Sequence, residues 1–275
     1  MTRPIQDTLA SQASDTGKPV QYMDTVEAYN KWAKVYDTDG NFLQALDTIE
    51  MRHLLPPFLA KLTTNAQPVP PKLVDLGCGT GRNTLQLLKS APRDAPIVGL
   101  DVSPAMLDIA REAIRKEQES ETSAEKTDVP VTLEVVDLLR SPLVLPDCAR
   151  GAAAVISTLV MEHIPLERFF EAAAALLVPG GYLLVTNMHA EMGAISQAGF
   201  TDPETGMKIR PTSYSHTVVD TLAAAEAAGF DLEELDGEAV RERTVDEAMA
   251  EALGKRAAKW VGVTVWFGIC FRKRA

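Results

Sequence analysis

Three closely spaced glycines mark the part of the chain that could hold a nucleotide-like ligand. An apolar run at residues 73–76 predicts a buried strand, which breaks into Gly77, Gly79 and Gly81 before a helical stretch begins. A strand that turns sharply into a helix leaves backbone N–H groups free, and glycine allows a ligand to approach them closely. The spacing therefore predicts a cradle for a nucleotide-like ligand at this turn.

Two acids indicate which ligand the turn suits. Asp75 lies inside the strand end, and the spacing Gly-x-Gly-x-Gly differs from the Gly-x-Gly-x-x-Gly of dinucleotide-binding proteins. A carboxylate at this point repels phosphate and attracts an ammonium group. Asp101 ends the next predicted strand about 20 residues beyond the last glycine, the separation at which a carboxylate reaches ribose hydroxyls. The pattern disfavours an NAD(P)-dependent oxidoreductase.

These motifs resemble those of the class I S-adenosylmethionine (SAM) methyltransferases, whose cofactor carries an ammonium group and no phosphate. The resemblance extends over residues 22–272 and includes the Leu-Val-Pro-Gly-Gly stretch at residues 177–181. It implies SAM as cofactor and S-adenosylhomocysteine as product. Besides the acids and glycines above, the resemblance implies that these residues bind the cofactor: Tyr36, Cys78, Asn83, Val102, Met106, Asp137, Leu138 and Ser157.

The acceptor is expected at the carboxyl edge of the sheet, where ligands of α/β proteins bind. The apolar run at residues 152–159 predicts a strand buried on both faces, so the loop that follows it should face the transferred group. An aromatic stripe at residues 22–36 predicts a helix that either packs on the core or covers the ligand. The candidate substrate residues are Tyr29, Trp32, Thr158, Met161, Glu162, Met188 and Met207.

Two histidines are candidate general bases. His163 follows Glu162, and this pair could take a proton from the acceptor or, alternatively, cap a helix. His189 follows the fifth predicted strand and would either deprotonate the acceptor or fasten a hairpin by a hydrogen bond. His216 precedes a helix and is expected to cap or pack it. No metal-ligand spacing is present in the sequence.

Alternating strand and helix patterns predict the elements that position these residues. We expect a doubly wound α/β fold with a seven-stranded sheet, parallel except for the last strand. Residues 1–20 are expected to form a flexible tail, residues 21–66 a helical cap, and residues 67–275 the SAM-binding domain. A hairpin signature within residues 189–215 predicts an inserted substrate lid.

Composition limits the classes of partner. The net charge of -11 disfavours nucleic acids and anionic membranes, and the absence of a long apolar run favours a cytoplasmic protein. The expected reaction is in-line methyl transfer to an O, N, S or C atom of a small molecule. The resembling enzymes that methylate nucleobases carry an Asn/Asp-Pro-Pro-aromatic tetrad, which is missing here. A protein substrate or a regulatory SAM-binding role remain alternatives, and the oligomeric state is not predicted.

Overall fold

The computed structural model describes residues 4–5, 20–63, 70–120 and 130–275. Within these ranges strands and helices alternate as the sequence predicts. The strands are β1 (Val20–Tyr22), β2 (Leu73–Leu76), β3 (Ile97–Asp101), β4 (Val131–Val135), β5 (Ala152–Thr158), β6 (Leu177–Met188), β7 (Phe200–Thr201), β8 (Lys208–Arg210), β9 (Phe230–Glu233), β10 (Val240–Thr244) and β11 (Thr264–Lys273). The helices are α1 (Thr25–Trp32), α2 (Phe42–Thr63), α3 (Arg82–Ser90), α4 (Pro104–Ser120), α5 (Leu166–Leu176), α6 (Ala190–Ile195), α7 (Val218–Ala227) and α8 (Glu247–Leu253).

The main sheet confirms the predicted doubly wound architecture. Strands β4, β3, β2, β5 and β6 lie side by side in that order and are parallel, and β11 is antiparallel to β6. Both β9 and β10 pair with β11, each with one half of it. Two short strands therefore share the place of one of the seven predicted strands. The reason is a tight turn at Asp236 and Gly237, which have φ angles of 56° and 78°.

Apolar side chains cover both faces of the sheet. Along β11, Trp266 and Cys270 pack with α2 on one face, and Phe267, Ile269 and Phe271 pack with α5 and α7 on the other. Because a parallel sheet buried on both faces exposes only its edges, the carboxyl ends of β2, β3, β5 and β6 are left to form a site.

A buried carboxylate joins the helical region to the sheet. Asp47 of α2 is fully buried and accepts hydrogen bonds from the Arg82 guanidinium (2.6 Å), the Trp266 indole (2.9 Å) and the Thr186 hydroxyl. A buried carboxylate is stable only when its oxygens are paired in this way. Since Arg82 directly follows Gly81, the same bonds hold the glycine turn and α2 in a fixed relation.

A small second sheet lies over the carboxyl edge of the main one. β7 and β8 form the hairpin expected within residues 189–215, and β1 pairs in parallel with β8. The N-terminal end of the chain also reaches this region, because the Ile5 N–H donates to the Ser213 carbonyl at 2.7 Å and Ile5 is buried. At Ile5 and Val20 the chain is thus tied down, contrary to the predicted flexible tail. The rest of that tail lies outside the described residues, apart from Pro4.

No helix in the described ranges is both long and apolar enough to cross a bilayer. The cytoplasmic location expected from the composition stays a prediction.

Candidate functional site

The turn after β2 presents its backbone at the carboxyl edge of the sheet. Gly77, Gly79 and Gly81 have φ angles of 78°, 54° and 86°, which residues with a side chain rarely adopt. The N–H groups of Gly77 and Cys78 donate to the Leu100 carbonyl at 2.7 and 2.9 Å, so the turn is fixed to β3. A Cβ atom at Gly79 would meet no described atom within 4 Å. The backbone at Gly79 is therefore open to a ligand.

The carboxylate of Asp101, the last residue of β3, is joined to this turn. Its Oδ2 accepts from the Gly79 N–H and its Oδ1 from the Ser103 N–H, both at 2.8 Å. Burial raises the pKa of Asp101 above its ordinary value, and these N–H groups oppose the rise. The two bonds hold the carboxylate in one orientation and leave lone pairs for further donors.

A cavity of about 240 Å³, termed the edge cavity, opens beside Asp101 and the glycine turn. Asp24, at the N-terminus of α1, also lines it, although it was not among the residues predicted from the sequence. Most of the predicted cofactor residues line the cavity: Tyr36, Gly77, Gly79, Asp101, Val102, Met106, Asp137 and Leu138. The structure thus brings together residues from four separate stretches of sequence.

The other predicted cofactor residues lie behind the cavity wall. Asn83 donates to the Thr158 hydroxyl at 2.7 Å, and the Ser157 hydroxyl donates to the Leu76 carbonyl at 2.8 Å. Cys78 and Gly81 likewise do not line the cavity, because Cys78 is buried against Gly99 and Gly81, just before α3, lies against Ala110. Asp75 does not line it either. The prediction of direct contact is wrong for Asn83, Ser157, Cys78 and Gly81, which support the cavity wall from behind. For Asp75, which keeps a free oxygen, it stays a prediction.

Asp75 is a buried carboxylate with one free oxygen. Its Oδ2 accepts from the Thr84 hydroxyl at 2.6 Å, whereas its Oδ1 is buried without a partner among the described residues. Burial raises the pKa of Asp75 to about 6, although the Thr84 bond opposes the rise. An oxygen left in this state costs free energy unless a ligand or water supplies a donor.

Tyr36 is held over the edge cavity by its neighbour in the chain. The Asp37 carboxylate accepts from the Thr80 hydroxyl at 2.9 Å and from the Gln44 amide at 3.2 Å. Since Thr80 lies within the glycine turn and Gln44 within α2, Asp37 fixes the segment after α1 to both. Burial raises the pKa of Tyr36 well above its ordinary value, so its hydroxyl stays neutral.

A larger cavity of about 430 Å³, termed the hairpin cavity, lies next to the edge cavity, between α1, the β7–β8 hairpin and residues 256–260. The predicted substrate residues Tyr29, Trp32, Glu162 and Met188 line it, whereas Thr158 lines the edge cavity. The prediction is wrong for Met161 and Met207, which line neither. Met161 is fully buried in the apolar cluster beneath α5, and the Met207 carbonyl pairs with the Asp202 N–H in the hairpin turn.

Tyr29, Tyr36 and Leu159 line both cavities. Leu159 follows β5 and has a φ of 57°, a left-handed conformation that costs a branched side chain about 1–3 kcal/mol. Strain of this kind persists only where the surroundings impose it. The three residues therefore form a wall shared by both cavities, and the ligands of the two cavities would meet beside it.

His163 contacts Tyr29 of this wall, and its hydrogen bonds define which ring nitrogen carries the proton. Its Nδ1 lies 2.8 Å from the Thr212 carbonyl, which can only accept, so Nδ1 carries the proton. Its Nε2 lies 2.7 Å from the Tyr29 hydroxyl and 3.4 Å from Glu162 Oε1. In the neutral imidazole, Nε2 accepts from Tyr29. His163 also lines the edge cavity.

His189 lies outside both cavities, contrary to the prediction that it acts as a base. Its Nδ1 accepts from the Glu191 N–H at 3.2 Å and so caps α6, and its Nε2 lies 3.1 Å from Glu242. It lines neither of the two cavities. The alternative role as a fastening residue agrees with this geometry. His216 contacts the Met161 and Ile164 carbonyls through Nε2, in keeping with a packing role.

The hairpin cavity also contains four cations that were not among the residues predicted from the sequence, Lys208, Arg210, Arg256 and Lys259. They come from two segments that are far apart in the sequence, and no charge run marks them.

In the described part of the chain, no cluster of three or more His, Cys, Asp or Glu side chains could hold a metal ion.

Known proteins resemble this chain in both sequence and fold. The family described as "Methyltransferase domain" matches residues 73–181. An uncharacterized methyltransferase of Emericella nidulans is 57% identical over 96% of this chain and 98% of its own length. The chain belongs to the class I SAM-dependent methyltransferases.

Two more distant proteins resemble part of this methyltransferase. Trans-aconitate 2-methyltransferase of Acidovorax sp. (strain JS42) is 31% identical over 55% of this chain and 50% of its own. The crystal structure of an SAM-dependent methyltransferase from Mesorhizobium loti is 22% identical, with a TM-score of 0.52 over 78% of this chain and 96% of that one. The latter likeness shows the fold alone.

The site of this methyltransferase fits SAM, the cofactor of its family. The free Oδ1 of Asp75 can accept from an ammonium group, and the open backbone at Gly79 leaves space where a side chain would intrude. Asp24, Asp101 and Asp137 make the edge cavity negative, which suits a ligand with a positive ammonium and a positive sulfonium. The enzyme therefore uses SAM and releases S-adenosylhomocysteine.

Proposed function

We propose that this enzyme methylates a small molecule bound in the hairpin cavity, with SAM bound in the edge cavity. The observation that carries the proposal is the shared wall of Tyr29, Tyr36 and Leu159, at which the two cavities adjoin. Methyl transfer to a nucleophile needs donor and acceptor in contact and in line, and holding them so can account for most of the rate. Adjacent cavities supply that arrangement.

Each part of the cofactor would meet a different element. Asp101 would accept from the ribose hydroxyls, and Asp137 with the Leu138 N–H would hold the adenine. The backbone around Gly79 would receive the amino-acid end, with the Asp75 carboxylate behind it. SAM, when bound, supplies an electrophilic methyl group on a sulfonium sulfur.

The cover over the hairpin cavity supports a small acceptor. α1 and the hairpin are joined by the Trp32 ring, which stacks on Phe200 with centroids 5.1 Å apart. We infer that residues 189–215 act as a substrate lid, because an insertion at this edge encloses the acceptor and excludes water. The trans-aconitate 2-methyltransferase that resembles half of this chain bears the name of a small-molecule substrate, which favours the same class.

His163 would serve as the base when the acceptor must lose a proton. Its Nε2 already accepts from the Tyr29 hydroxyl, and burial holds the pKa of Tyr29 well above its ordinary value near 10, so the tyrosine is neutral. An acceptor O–H or N–H would give its proton to the Tyr29 oxygen while the Tyr29 proton moves to Nε2. The acceptor lone pair would then form the new bond to the methyl carbon as the carbon–sulfur bond breaks and its electron pair goes to sulfur, leaving S-adenosylhomocysteine. The imidazolium would be stabilised by Glu162.

The proposal is tested with SAM labelled in its methyl group. Calorimetry first measures SAM binding. The enzyme is then incubated with labelled SAM and a cell extract, and ultrafiltration separates small molecules from proteins. We expect the label in a filtrate product other than SAM, formed only when the enzyme is present. Label found only on retained proteins would contradict a small-molecule acceptor.

Once the acceptor is identified, His163→Gln should lower kcat by about two to four orders of magnitude and leave the SAM affinity within about twofold of the wild-type value. The lost rate should recover partly at high pH, where the acceptor ionises without help. His189→Gln is the matched control, since this histidine lies outside both cavities. Equal kcat values for wild type and His163→Gln would show that no base is used at this position.

A further inference from the structure

The hairpin cavity carries a charge opposite to that of the whole chain. The sequence has 27 Lys and Arg against 38 Asp and Glu. Among the described residues that line this cavity, the cations are Lys208, Arg210, Arg256 and Lys259, and the only carboxylate is that of Glu162. β8 and residues 256–259 thus converge to make a positive cavity in a negative protein.

No described carboxylate neutralises these cations, since none lies within 4.0 Å of them. Arg256 donates to the Asp39 carbonyl, and the Lys259 ammonium lies 4.8 Å from the Trp260 ring centroid. Partial burial lowers the pKa of Lys208, and the positive charges of Arg210, Lys259 and Arg256 lower it further. Mutual repulsion of this kind is unfavourable in the free protein and is relieved when an anion enters.

Unpartnered polar atoms concentrate around the same cavity. Among the described residues, buried side-chain atoms without a partner include Arg210 Nε, Trp260 Nε1, Gln197 Oε1 and Glu162 Oε2. All four residues line the hairpin cavity. Buried polar groups in native proteins are nearly always hydrogen-bonded, so such a concentration indicates a ligand that supplies the missing partners. Arg210 and Trp260 offer donors, as an anion requires.

We propose that the acceptor is an anion, a small molecule with a carboxylate or phosphate group bound by Lys208, Arg210 and Lys259. This inference rests on the proposed function and names its substrate class. The anionic group lies among the cations, and the atom to be methylated lies toward Tyr29 and Glu162. A guanidinium and two ammonium groups select charge and suit either oxyanion.

Charge fractionation of the acceptor pool tests the proposal. A small-molecule extract is separated on an anion exchanger at neutral pH, and each fraction is incubated with the wild-type enzyme and labelled SAM. We expect label to be transferred only with the retained, anionic fraction. Transfer with the unretained fraction alone overturns the anionic class. Transfer with neither fraction, or absence of SAM binding by calorimetry, means instead that the proposed function has failed.

Phosphatase treatment of the retained fraction distinguishes the two oxyanions. Acceptor activity that survives the treatment belongs to a carboxylate, and activity that disappears belongs to a phosphate ester. Either result supports the anionic class.

Variants then test the site itself. With the active fraction as acceptor, Lys208→Gln and Arg210→Gln should each raise the acceptor concentration for half-maximal rate by about 10-fold to 100-fold. Lys34→Gln is the matched control, because Lys34 is exposed, pairs with Glu204 near the same hairpin and does not line the cavity. Arg210→Lys, which keeps the charge, should raise the acceptor concentration for half-maximal rate less than Arg210→Gln does. The assignment is overturned if wild type and both glutamine variants need the same acceptor concentration for half-maximal rate while SAM affinity and melting temperature are preserved.

Discussion

Asp75→Asn tests whether the enzyme keeps a buried charge for its cofactor. Asp75 is 1% exposed, accepts from Thr84 through Oδ2, and has no described partner at Oδ1. Asparagine has almost the same shape and keeps an acceptor for Thr84, but it cannot ionise. The substitution therefore removes the charge and little else.

The pKa difference between folded and unfolded chains gives the magnitude and the sign. Burial raises the pKa of Asp75 from 3.8 to about 6, and at ~1.36 kcal/mol per unit this equals about 3 kcal/mol. Because the folded-state pKa is the higher one, the favourable contribution is fully present below pH 3.8 and is lost as pH rises through about 6. At neutral pH the buried charge therefore destabilises the cofactor-free protein.

Urea unfolding at several pH values measures the effect. From about pH 5 to about pH 7, the free energy of unfolding of Asp75→Asn should gain about 1.3 kcal/mol relative to wild type. Any difference between the two proteins that does not depend on pH cancels in this comparison. Asp94→Asn, which removes an exposed carboxylate, should follow the wild-type pH dependence. Parallel curves for wild type and Asp75→Asn would refute the reasoning.

Cofactor affinity should change in the opposite direction. An ammonium group near a neutral amide loses a charged acceptor, so Asp75→Asn should weaken SAM binding by about 1–3 kcal/mol in calorimetry at neutral pH. A variant whose free form is more stable and whose cofactor binding is weaker shows that the charge serves the ligand. A variant with unchanged SAM affinity would remove Asp75 from the cofactor site.

Three further substitutions test the rest of the site. Asp101→Ala should weaken SAM binding by about 1–3 kcal/mol, and unchanged affinity in calorimetry would remove it from the ribose site. Gly79→Val should abolish SAM binding, whereas Gly237→Val, which imposes similar backbone strain at a φ of 78° in an open turn, should lower the melting temperature but still bind SAM. His189→Gln should lower the melting temperature through its lost cap and keep kcat within about twofold; a kcat loss of about 100-fold would restore its role as a base.

The cofactor side of the site was predictable because its determinants are local. Gly77, Gly79 and Gly81 must follow a buried strand directly, and Asp101 must end the next one, so their spacing along the chain fixes their position in space. The errors at Asn83 and at the buried Ser157 have a simple origin: a sequence motif places a residue near the site, and its hydrogen bonds decide whether its side chain faces the ligand.

The acceptor side was predictable only in outline. A hairpin signature indicated a lid, but the pairing of β8 with β1 joins residues almost 190 positions apart, which no local pattern reveals. His189 illustrates the same limit. Its place after β6 suggested the active edge, whereas the strand β10, which supplies Glu242, draws the imidazole away from both cavities.

Opposite charges in adjacent cavities give the enzyme a means of sorting its ligands. The edge cavity presents Asp101 and Asp137, and the hairpin cavity presents the cations of β8. A positive cofactor would be repelled from the second cavity and the proposed anionic acceptor from the first, so each ligand would be favoured in one site and disfavoured in the other. The wall between them has to be neutral for this to work, because a charge on Tyr29 or Tyr36 would attract one ligand and repel the other. Burial raises the pKa of both hydroxyls well above their ordinary values, and the wall therefore stays neutral at physiological pH.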